Sequence, residues 1–289
     1  MCQNVQIKFS EPIGFCYGVK RAINLAEKAL EQSLPVYTLG DLAHNKQLIK
    51  YLECKGIKTI NSYEGIEPSL IVIRSHGISQ AKLKLLKKSG WQVIDATCPH
   101  VRRVQNLAIS LNKEGYEVFI IGDKKHPEVI GIVENIKGNV HIIQNPDDIV
   151  SLGKSRFNKI GIVVQTTQTI ENVQSIILKI LESQLTLELK IYNTICPATV
   201  QRQKSTLQLA KEVDIMIVVG SNTSANTSKL VLICENQGTP VYLAEDVTQI
   251  KAKWFKNINL IGITAGASTP DWLIQEVVLK IKNLTNSNP

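Results

Sequence analysis

Three cysteines of this 289-residue chain sit in the same local setting. Cys98 lies in Val93-Ile94-Asp95-Ala96-Thr97-Cys98-Pro99-His100-Val101-Arg102-Arg103-Val104, where an apolar run gives way to small and polar residues. A proline then opens an amphipathic helix, at the one helical position where its missing N–H is not needed. A thiol at such a junction lies near unpaired helix N–H groups and the positive end of the helix dipole. Both favour the thiolate, the form that binds metals or attacks electrophiles. Gly14-Phe15-Cys16-Tyr17-Gly18-Val19 and Asn193-Thr194-Ile195-Cys196-Pro197-Ala198-Thr199 repeat the arrangement. Three cysteines so placed point to one shared site.

Counting forward from each cysteine brings a second set of residues into register. His44, His126 and Ser224 each lie 28 residues beyond their cysteine (44 − 16, 126 − 98 and 224 − 196). Each closes a polar cluster after an apolar run: GDLAH, GDKKH and GSNTS. A further apolar run in each part ends in IVIRSHG with His76, IVVQTTQ with Thr166 and IGITAGAS with Ser268. These offsets are 60, 68 and 72 (76 − 16, 166 − 98, 268 − 196), the spread expected of variable loops. Thr167, Asn226 and Thr269 lie beside these positions.

The residue types define what the site could do. Three cysteines leave one coordination position open on a zinc ion, or one iron of a [4Fe–4S] cluster open to a substrate oxygen. Buried structural thiols are the remaining reading. No C-x-x-C occurs, which disfavours a ferredoxin-like carrier. The imidazoles, hydroxyls and amide of the second set can donate many hydrogen bonds to an anion such as a diphosphate. Taken singly, the Ser, Thr and Asn residues could equally be helix caps or turn residues. Glu128, two residues beyond His126, could be a proton donor if a closed cavity raises its pKa. Otherwise it is an exposed acid beside Lys124 and Lys125. Asp41, Asp95 and Asp123 read as loop and cap residues.

Short apolar runs alternate with helical patterns along the whole chain. Strands are predicted at 5–9, 36–39, 70–73, 92–94, 117–121, 140–143, 160–164, 187–191, 215–219, 241–243 and 260–264. Helices are predicted at 19–30, 80–88, 101–113, 174–185, 201–212 and 272–282. This alternation predicts an α/β architecture with mainly parallel sheets. The repeat predicts three related α/β units, 1–97, 98–195 and 196–289, in pseudo-threefold arrangement around a central cavity. Ligands of open α/β sheets bind beyond the carboxyl ends of the strands, where the cysteines and polar loops fall.

The hydrophobic share of 44% with 20% charged residues excludes a disordered chain. No apolar run approaches the ~18 residues of a membrane span, and the N-terminus does not read as a signal peptide. The expectation is a cytoplasmic protein without a membrane partner. In a reducing compartment the cysteines read as ligands, catalytic groups or buried thiols. Cys54 and Cys234, within helical patterns, read as buried small hydrophobes; Cys2 is assigned no role. The net charge of +8 fits an anionic substrate or an acidic partner. Nucleic acid is not expected, because aromatics make up only 5% and the basic residues are dispersed, as at Lys82, Lys84, Lys87 and Lys88.

Together these stretches resemble the 4-hydroxy-3-methylbut-2-enyl diphosphate reductase family of the non-mevalonate isoprenoid pathway. The matching segments are GFCYGVKRAI, LAHNKQLI, RSHGISQ, DATCPHVRRV, KHPEVIG, VVQTTQT, ICPATVQRQ, GSNTSANTSKL and TAGASTPDWLI, spanning residues 14 to 274. The resemblance implies three α/β domains around a [4Fe–4S] cluster held by Cys16, Cys98 and Cys196. It implies that His44, His76 and His126 line the substrate pocket, with Thr166, Ser224, Asn226 and Ser268 binding the diphosphate or its neighbours. Glu128 would be the proton donor and Thr166 would position the substrate hydroxyl. The implied reaction removes that hydroxyl with two electrons and protons, giving isopentenyl and dimethylallyl diphosphates. A ferredoxin or flavodoxin-type protein would supply the electrons, steered by the basic charge. Ala225 departs from the family, which often has a second serine there, so one hydroxyl contact to the diphosphate is lost or replaced by backbone N–H.

Two other readings use the same residues. A three-cysteine [4Fe–4S] Lewis-acid hydro-lyase, or a quinolinate-synthase-like enzyme, would turn over without an electron donor. A non-catalytic cluster or anion-binding module would leave Glu128 without a task.

Overall fold

A computed structural model of the chain describes residues 5–153 and 155–286. Cys2 lies outside the described residues. The chain opens with strand β1 (Gln6–Phe9) and helix α1 (Tyr17–Ala29). There follow β2 (Val36–Leu39), α2 (Lys46–Cys54), β3 (Ile57–Ile60), β4 (Leu70–Ile73), α3 (Gln80–Lys88) and β5 (Gln92–Asp95). Next come α4 (Pro99–Lys113), β6 (Glu117–Ile121), α5 (Pro127–Val133), β7 (Val140–Ile143), α6 (Pro146–Val150), β8 (Phe157–Val164), α7 (Ile170–Glu182) and β9 (Thr186–Tyr192). The last stretch holds α8 (Pro197–Ala210), β10 (Ile215–Val219), α9 (Ala225–Gln237), β11 (Val241–Ala244), β12 (Leu260–Ala265) and α10 (Asp271–Asn286).

The strands form three four-stranded sheets, ordered β3-β2-β4-β5, β7-β6-β8-β9 and β11-β10-β12-β1. Every pairing is parallel. The α/β class with parallel sheets is therefore as the alternation predicts. Counted from the strand that follows each cysteine helix, all three sheets have the order 2-1-3-4. In the third sheet the fourth place is taken by β1, which pairs with β12 from Gln6 opposite Leu260 to Phe9 opposite Ile263. Residues 1–97 thus feed two sheets.

The central strands carry the sequences that a sheet covered on both faces requires. LIVI of β4 and IMIVV of β10 are buried at every position, and EVFII of β6 at all but the first. Each such Ile or Val stabilises the fold by about 1.5–3 kcal/mol through removal from water. Edge strands are more exposed, and β3 (IKTI), with two half-exposed positions and a lysine, does not announce itself in the apolar pattern.

Two compact units group these elements. One combines the N-terminal segment up to Lys20, Ala43–Lys55 and the chain from Pro197 onward. The other combines Arg21–Leu42 and Gly56–Cys196. In the first, Ile217, Val219, Ile261, Ile263, Leu273 and Val277 form the core beneath α10. In the second, one core packs α4 on the β6–β8 sheet through Val104, Ala108, Leu111, Val118 and Ile120. Its other core sets Ile71, Ile73, Leu86 and Trp91 around the β4 sheet, with Trp91 edge-on to Tyr37 at 5.6 Å between ring centroids.

A glycine in the third strand of two sheets lets the cysteine helix pack close. A Cβ on Gly161 of β8 would meet Leu111 Cδ2 of α4 at 2.7 Å, and one on Gly262 of β12 would meet Leu209 Cγ of α8 at 3.1 Å. Both helices begin just after a cysteine, so this packing fixes where each thiol is delivered.

Candidate functional site

Each of the three cysteines ends the loop that leaves its sheet's fourth strand, and each has its N–H tied to the loop after the third strand. Cys98 N–H donates to Ser75 O at 2.9 Å, Cys196 N–H to Thr166 O at 3.0 Å and Cys16 N–H to Ala267 O at 3.0 Å. Helices α1, α4 and α8 start at the next residue, with proline first in α4 and α8. All three thiols are half-buried, and that of Cys98 does not cap its helix. The helix-terminal environment expected to favour thiolate is therefore present at each cysteine.

The same bonds correct one correspondence. Ser75, Thr166 and Ala267 are equivalent, because each accepts a cysteine N–H. Each also precedes the centre of a turn closed by Gly77 N–H to Arg74 O, Gln168 N–H to Gln165 O, or Thr269 N–H to Gly266 O. The partners of His76 and Ser268 are thus occupied by Thr167, not Thr166. Thr167 Oγ1 accepts from Gln165 Nε2 at 2.9 Å. The unequal offsets hid this, since counting through loops of different length cannot fix a one-residue register.

Thr166 instead pairs with Glu128. Thr166 N–H donates to Glu128 Oε1 at 2.8 Å and Thr166 Oγ1 donates to Oε2 at 2.7 Å. Glu128 is 1% exposed, so the reading as an exposed acid beside Lys124 and Lys125 does not hold. Lys124 instead reaches Asp148, and Lys125 N–H donates to Asp123 at 2.9 Å. Burial raises the Glu128 pKa to about 7, against the two Thr166 bonds that favour its anion. A carboxyl group so balanced holds a proton near neutrality and can release it.

Helix α5 begins at this point for a local reason. His126 is its cap, with Nδ1 accepting from Glu128 N–H at 3.2 Å, and Pro127 takes the first helical position. With Nδ1 an acceptor, the neutral His126 ring carries its proton on Nε2 and has that donor to offer. The His76 ring stands edge-on to it, centroids 5.2 Å apart. Glu128, Thr166, His76 and His126 all belong to one compact unit, as do Cys98 and Cys196.

The other unit holds Cys16, His44, Ser224, Asn226 and Ser268. Ser224 caps α9, accepting from Thr227 N–H at 3.4 Å, and Ser268 Oγ donates to His44 O at 3.1 Å. Asn226 is 4% exposed, yet neither its Nδ2 nor its Oδ1 has a hydrogen-bond partner. A buried amide left so costs stability unless a ligand satisfies it. Asn226 stands two residues past its helix cap, as Glu128 does past His126, so the repeat puts an acid and an amide at equivalent buried positions. In the first part the cap is Asn45, accepting from Leu48 N–H at 3.0 Å. There His44 lies just ahead of the cap, where His126 and Ser224 are themselves caps.

Asp95 and Asp123 act as loop residues, as expected: Asp95 accepts from Thr97 N–H at 3.0 Å and pairs with Arg102. Cys234 is a buried thiol pushed up to about 12 by burial, but Cys54 is exposed at the end of α2 and is not a core residue. Two residues went unread in the sequence. Arg21 on α1 donates to Thr97 O at 3.2 Å, next to Cys98, and Arg202 on α8 donates to Gly14 O at 2.9 Å, two residues before Cys16. The available signal was their common place on a helix opened by a cysteine.

Fold and site define a protein of the α/β class with a threefold repeated parallel sheet, each repeat delivering one cysteine at a helix N-terminus. The chain belongs to the LytB protein family, whose model matches residues 7–282. Relatives bearing the name 4-hydroxy-3-methylbut-2-enyl diphosphate reductase include one from Geobacter sulfurreducens, 39% identical over 98% of this chain and 99% of its own. Another, from Dictyoglomus thermophilum, is 42% identical over 94% of this chain and 95% of its own. Among solved structures, one described as (E)-4-hydroxy-3-methyl-but-2-enyl diphosphate reductase, the terminal enzyme of the non-mevalonate pathway, is similar at a TM-score of 0.69. It is 40% identical, covering 96% of this chain and 99% of that one. The Plasmodium falciparum reductase structure is similar at a TM-score of 0.87 and 31% identity, covering 96% of this chain and 87% of that one.

Proposed function

We propose that this protein is a 4-hydroxy-3-methylbut-2-enyl diphosphate reductase, an oxidoreductase that removes the substrate hydroxyl as water and yields isopentenyl and dimethylallyl diphosphates. Family membership supports the reaction, and the observation that carries its chemistry here is the buried Glu128 carboxyl bonded twice to Thr166. Neither the hydro-lyase nor the non-catalytic reading accounts for the reductase name of the relatives together with a proton donor poised near neutrality.

The residues fit a [4Fe–4S] cluster. Soft thiolate donors suit iron–sulfur clusters, three half-buried thiols each follow a parallel strand, and each begins a helix. Cys16, Cys98 and Cys196 would hold the group, which when bound supplies the two electrons of the reduction. Glu128 holds the proton that leaves with the hydroxyl oxygen. The Thr166 hydroxyl, shared between that carboxyl and the substrate oxygen, orients the group to be lost. His126 offers its Nε2 proton, and His76 and His44 add donors for the diphosphate. Asn226 supplies an amide with two unused bonds, and Ser224 and Ser268 bring hydroxyls to the same task. Balance requires two electrons and two protons per hydroxyl released as water.

The three-unit division 1–97, 98–195 and 196–289 assigns one cysteine to each unit, with β1 serving the third unit's sheet. An acidic ferredoxin or flavodoxin-type protein is the proposed electron donor, matched to the net charge of +8. No described helix is long and apolar enough to cross a membrane, and the cytoplasm is the proposed location. The test is product analysis with purified protein, reduced viologen and the hydroxylated diphosphate under anaerobic conditions. Both isopentenyl and dimethylallyl diphosphates are expected. Product formation without an electron donor would favour the hydro-lyase reading instead.

A further inference from the structure

Arg202 is among the largest side chains in the protein to be fully buried, at 1% exposure. It lies on α8, six residues after Cys196 (202 − 196), but its guanidinium serves a different cysteine. Nη2 donates to Gly14 O and Nη1 to Ala265 O, both at 2.9 Å. Gly14 is two residues before Cys16. Ala265 is two residues before Ala267, whose carbonyl takes the Cys16 N–H at 3.0 Å. One planar fork therefore ties together both segments that form the Cys16 corner. The corner has no slack elsewhere: Gly14 has φ +81°, and a Cβ there would meet Asp271 Oδ1 at 2.1 Å.

The charge is as notable as the geometry. Both acceptors are neutral carbonyls, and the Arg202 Nε has no hydrogen-bond partner. A buried cation held only by neutral groups is costly unless an anion lies near. Burial holds the guanidinium below its ordinary value, and the influences opposing this are Cys16 first and Glu11 second. The compensating negative charge is therefore supplied largely from the Cys16 side. Arg21 makes the corresponding grip on the Cys98 corner, donating to Thr97 O at 3.2 Å and Asp95 O at 3.4 Å, but it is only half-buried.

We propose that Arg202 is the positioning residue of the Cys16 corner, its fork fixing the loop and its charge favouring the more negative, reduced state of the group bound at Cys16. This rests on the cluster reading above. A fixed positive charge in a poorly solvated site makes addition of an electron easier, so Arg202 raises the reduction potential of a Cys16-bound cluster.

The test compares wild type, Arg202→Gln and Arg202→Lys after anaerobic cluster assembly. The midpoint potential is read by EPR-monitored titration, and amide exchange over 14–17 is read in the cluster-free chain. Arg202→Gln is expected to shift the potential to more negative values and to speed exchange over 14–17 at least tenfold. Arg202→Lys keeps the charge but not the fork, so its potential stays near wild type while exchange remains fast. An Arg202→Gln potential equal to wild type overturns the inference, as does an Arg202→Lys potential that falls as far as that of the glutamine variant. Should Arg202→Gln not fold, unchanged exchange over 14–17 in Arg202→Lys overturns it alone. A wild-type chain that binds no iron sinks the cluster reading and this inference with it, a result distinct from normal wild-type loading with indifferent variants.

Discussion

Thr166 engages both carboxylate oxygens of Glu128, one through its N–H at 2.8 Å and the other through its hydroxyl at 2.7 Å. The next link in the same chain is the Thr166 carbonyl, which accepts the Cys196 N–H at 3.0 Å. One residue thus joins the proton donor to a ligand loop. The relative placement of proton and electron delivery is set by the backbone of a single turn.

The first consequence is a pH dependence. With its pKa raised to about 7, Glu128 is protonated below neutrality and loses its proton above it. Turnover under electron-donor excess is expected to fall tenfold per unit on the alkaline side of a limb near 7, read from kcat against pH. Glu128→Gln removes the transferable proton and should cost at least a hundredfold in kcat. A Glu128→Gln variant with the wild-type rate would remove the acid from the mechanism.

The same shift makes a stability statement. The folded-state value lies above the ordinary 4.5, so the neutral carboxyl's contribution is full below about 4.5 and is lost as pH rises through about 7. The whole shift amounts to about 3 kcal/mol. Denaturant unfolding of the wild type should show this loss between pH 5 and 8, on the order of that size, and Glu128→Gln should flatten it. Parallel pH curves for the two proteins would contradict the assignment.

Thr166→Val deletes one of two bonds that favour the Glu128 anion. Loss of a hydrogen bond to a charged group is worth roughly 1.5–3 kcal/mol, which moves the alkaline limb upward by about one to two units. Thr166→Ser keeps the hydroxyl and should leave the limb in place. The pH profiles of the two variants check this directly, and a limb that stays near 7 in the valine variant would refute it.

Asn226 pits stability against function. Replacing a buried, unpartnered amide by an apolar group of similar size relieves a desolvation cost of about 1–3 kcal/mol. Asn226→Leu is expected to raise the melting temperature of the free protein while increasing KM at least tenfold. A variant that melts earlier and binds substrate as wild type does would show that the amide has a structural role.

Much of this was legible in the sequence because the central strands are buried on both faces. Leu70–Ile73, Glu117–Ile121 and Ile215–Val219 appear in the structure with the predicted ends, since unbroken apolar runs have no other stable place. Helix α8 begins at Pro197, four residues ahead of the predicted start. It buries Thr199, Arg202, Gln203 and Thr206, and so lacks an apolar stripe to announce it. The polar residues it hides are the ones that serve the Cys16 corner. Strand β8 begins at Phe157 because backbone pairing with β9 extends it through residues whose side chains stay in water. The pairing of β1 with β12 could not be read at all, since no local pattern links Gln6 to Leu260. Glu128 was singled out by its place beside His126, but its burial depended on Thr166, thirty-eight residues away in the chain.

The central claim is that reduction of the hydroxylated diphosphate runs through the Cys16, Cys98 and Cys196 site. Anaerobically reconstituted protein should oxidise reduced viologen only when 4-hydroxy-3-methylbut-2-enyl diphosphate is added, with two electrons consumed per substrate lost. Cys98→Ser should abolish that oxidation along with the bound iron. A colourless protein holding zinc and no iron, or viologen oxidation that ignores the substrate, would contradict the account.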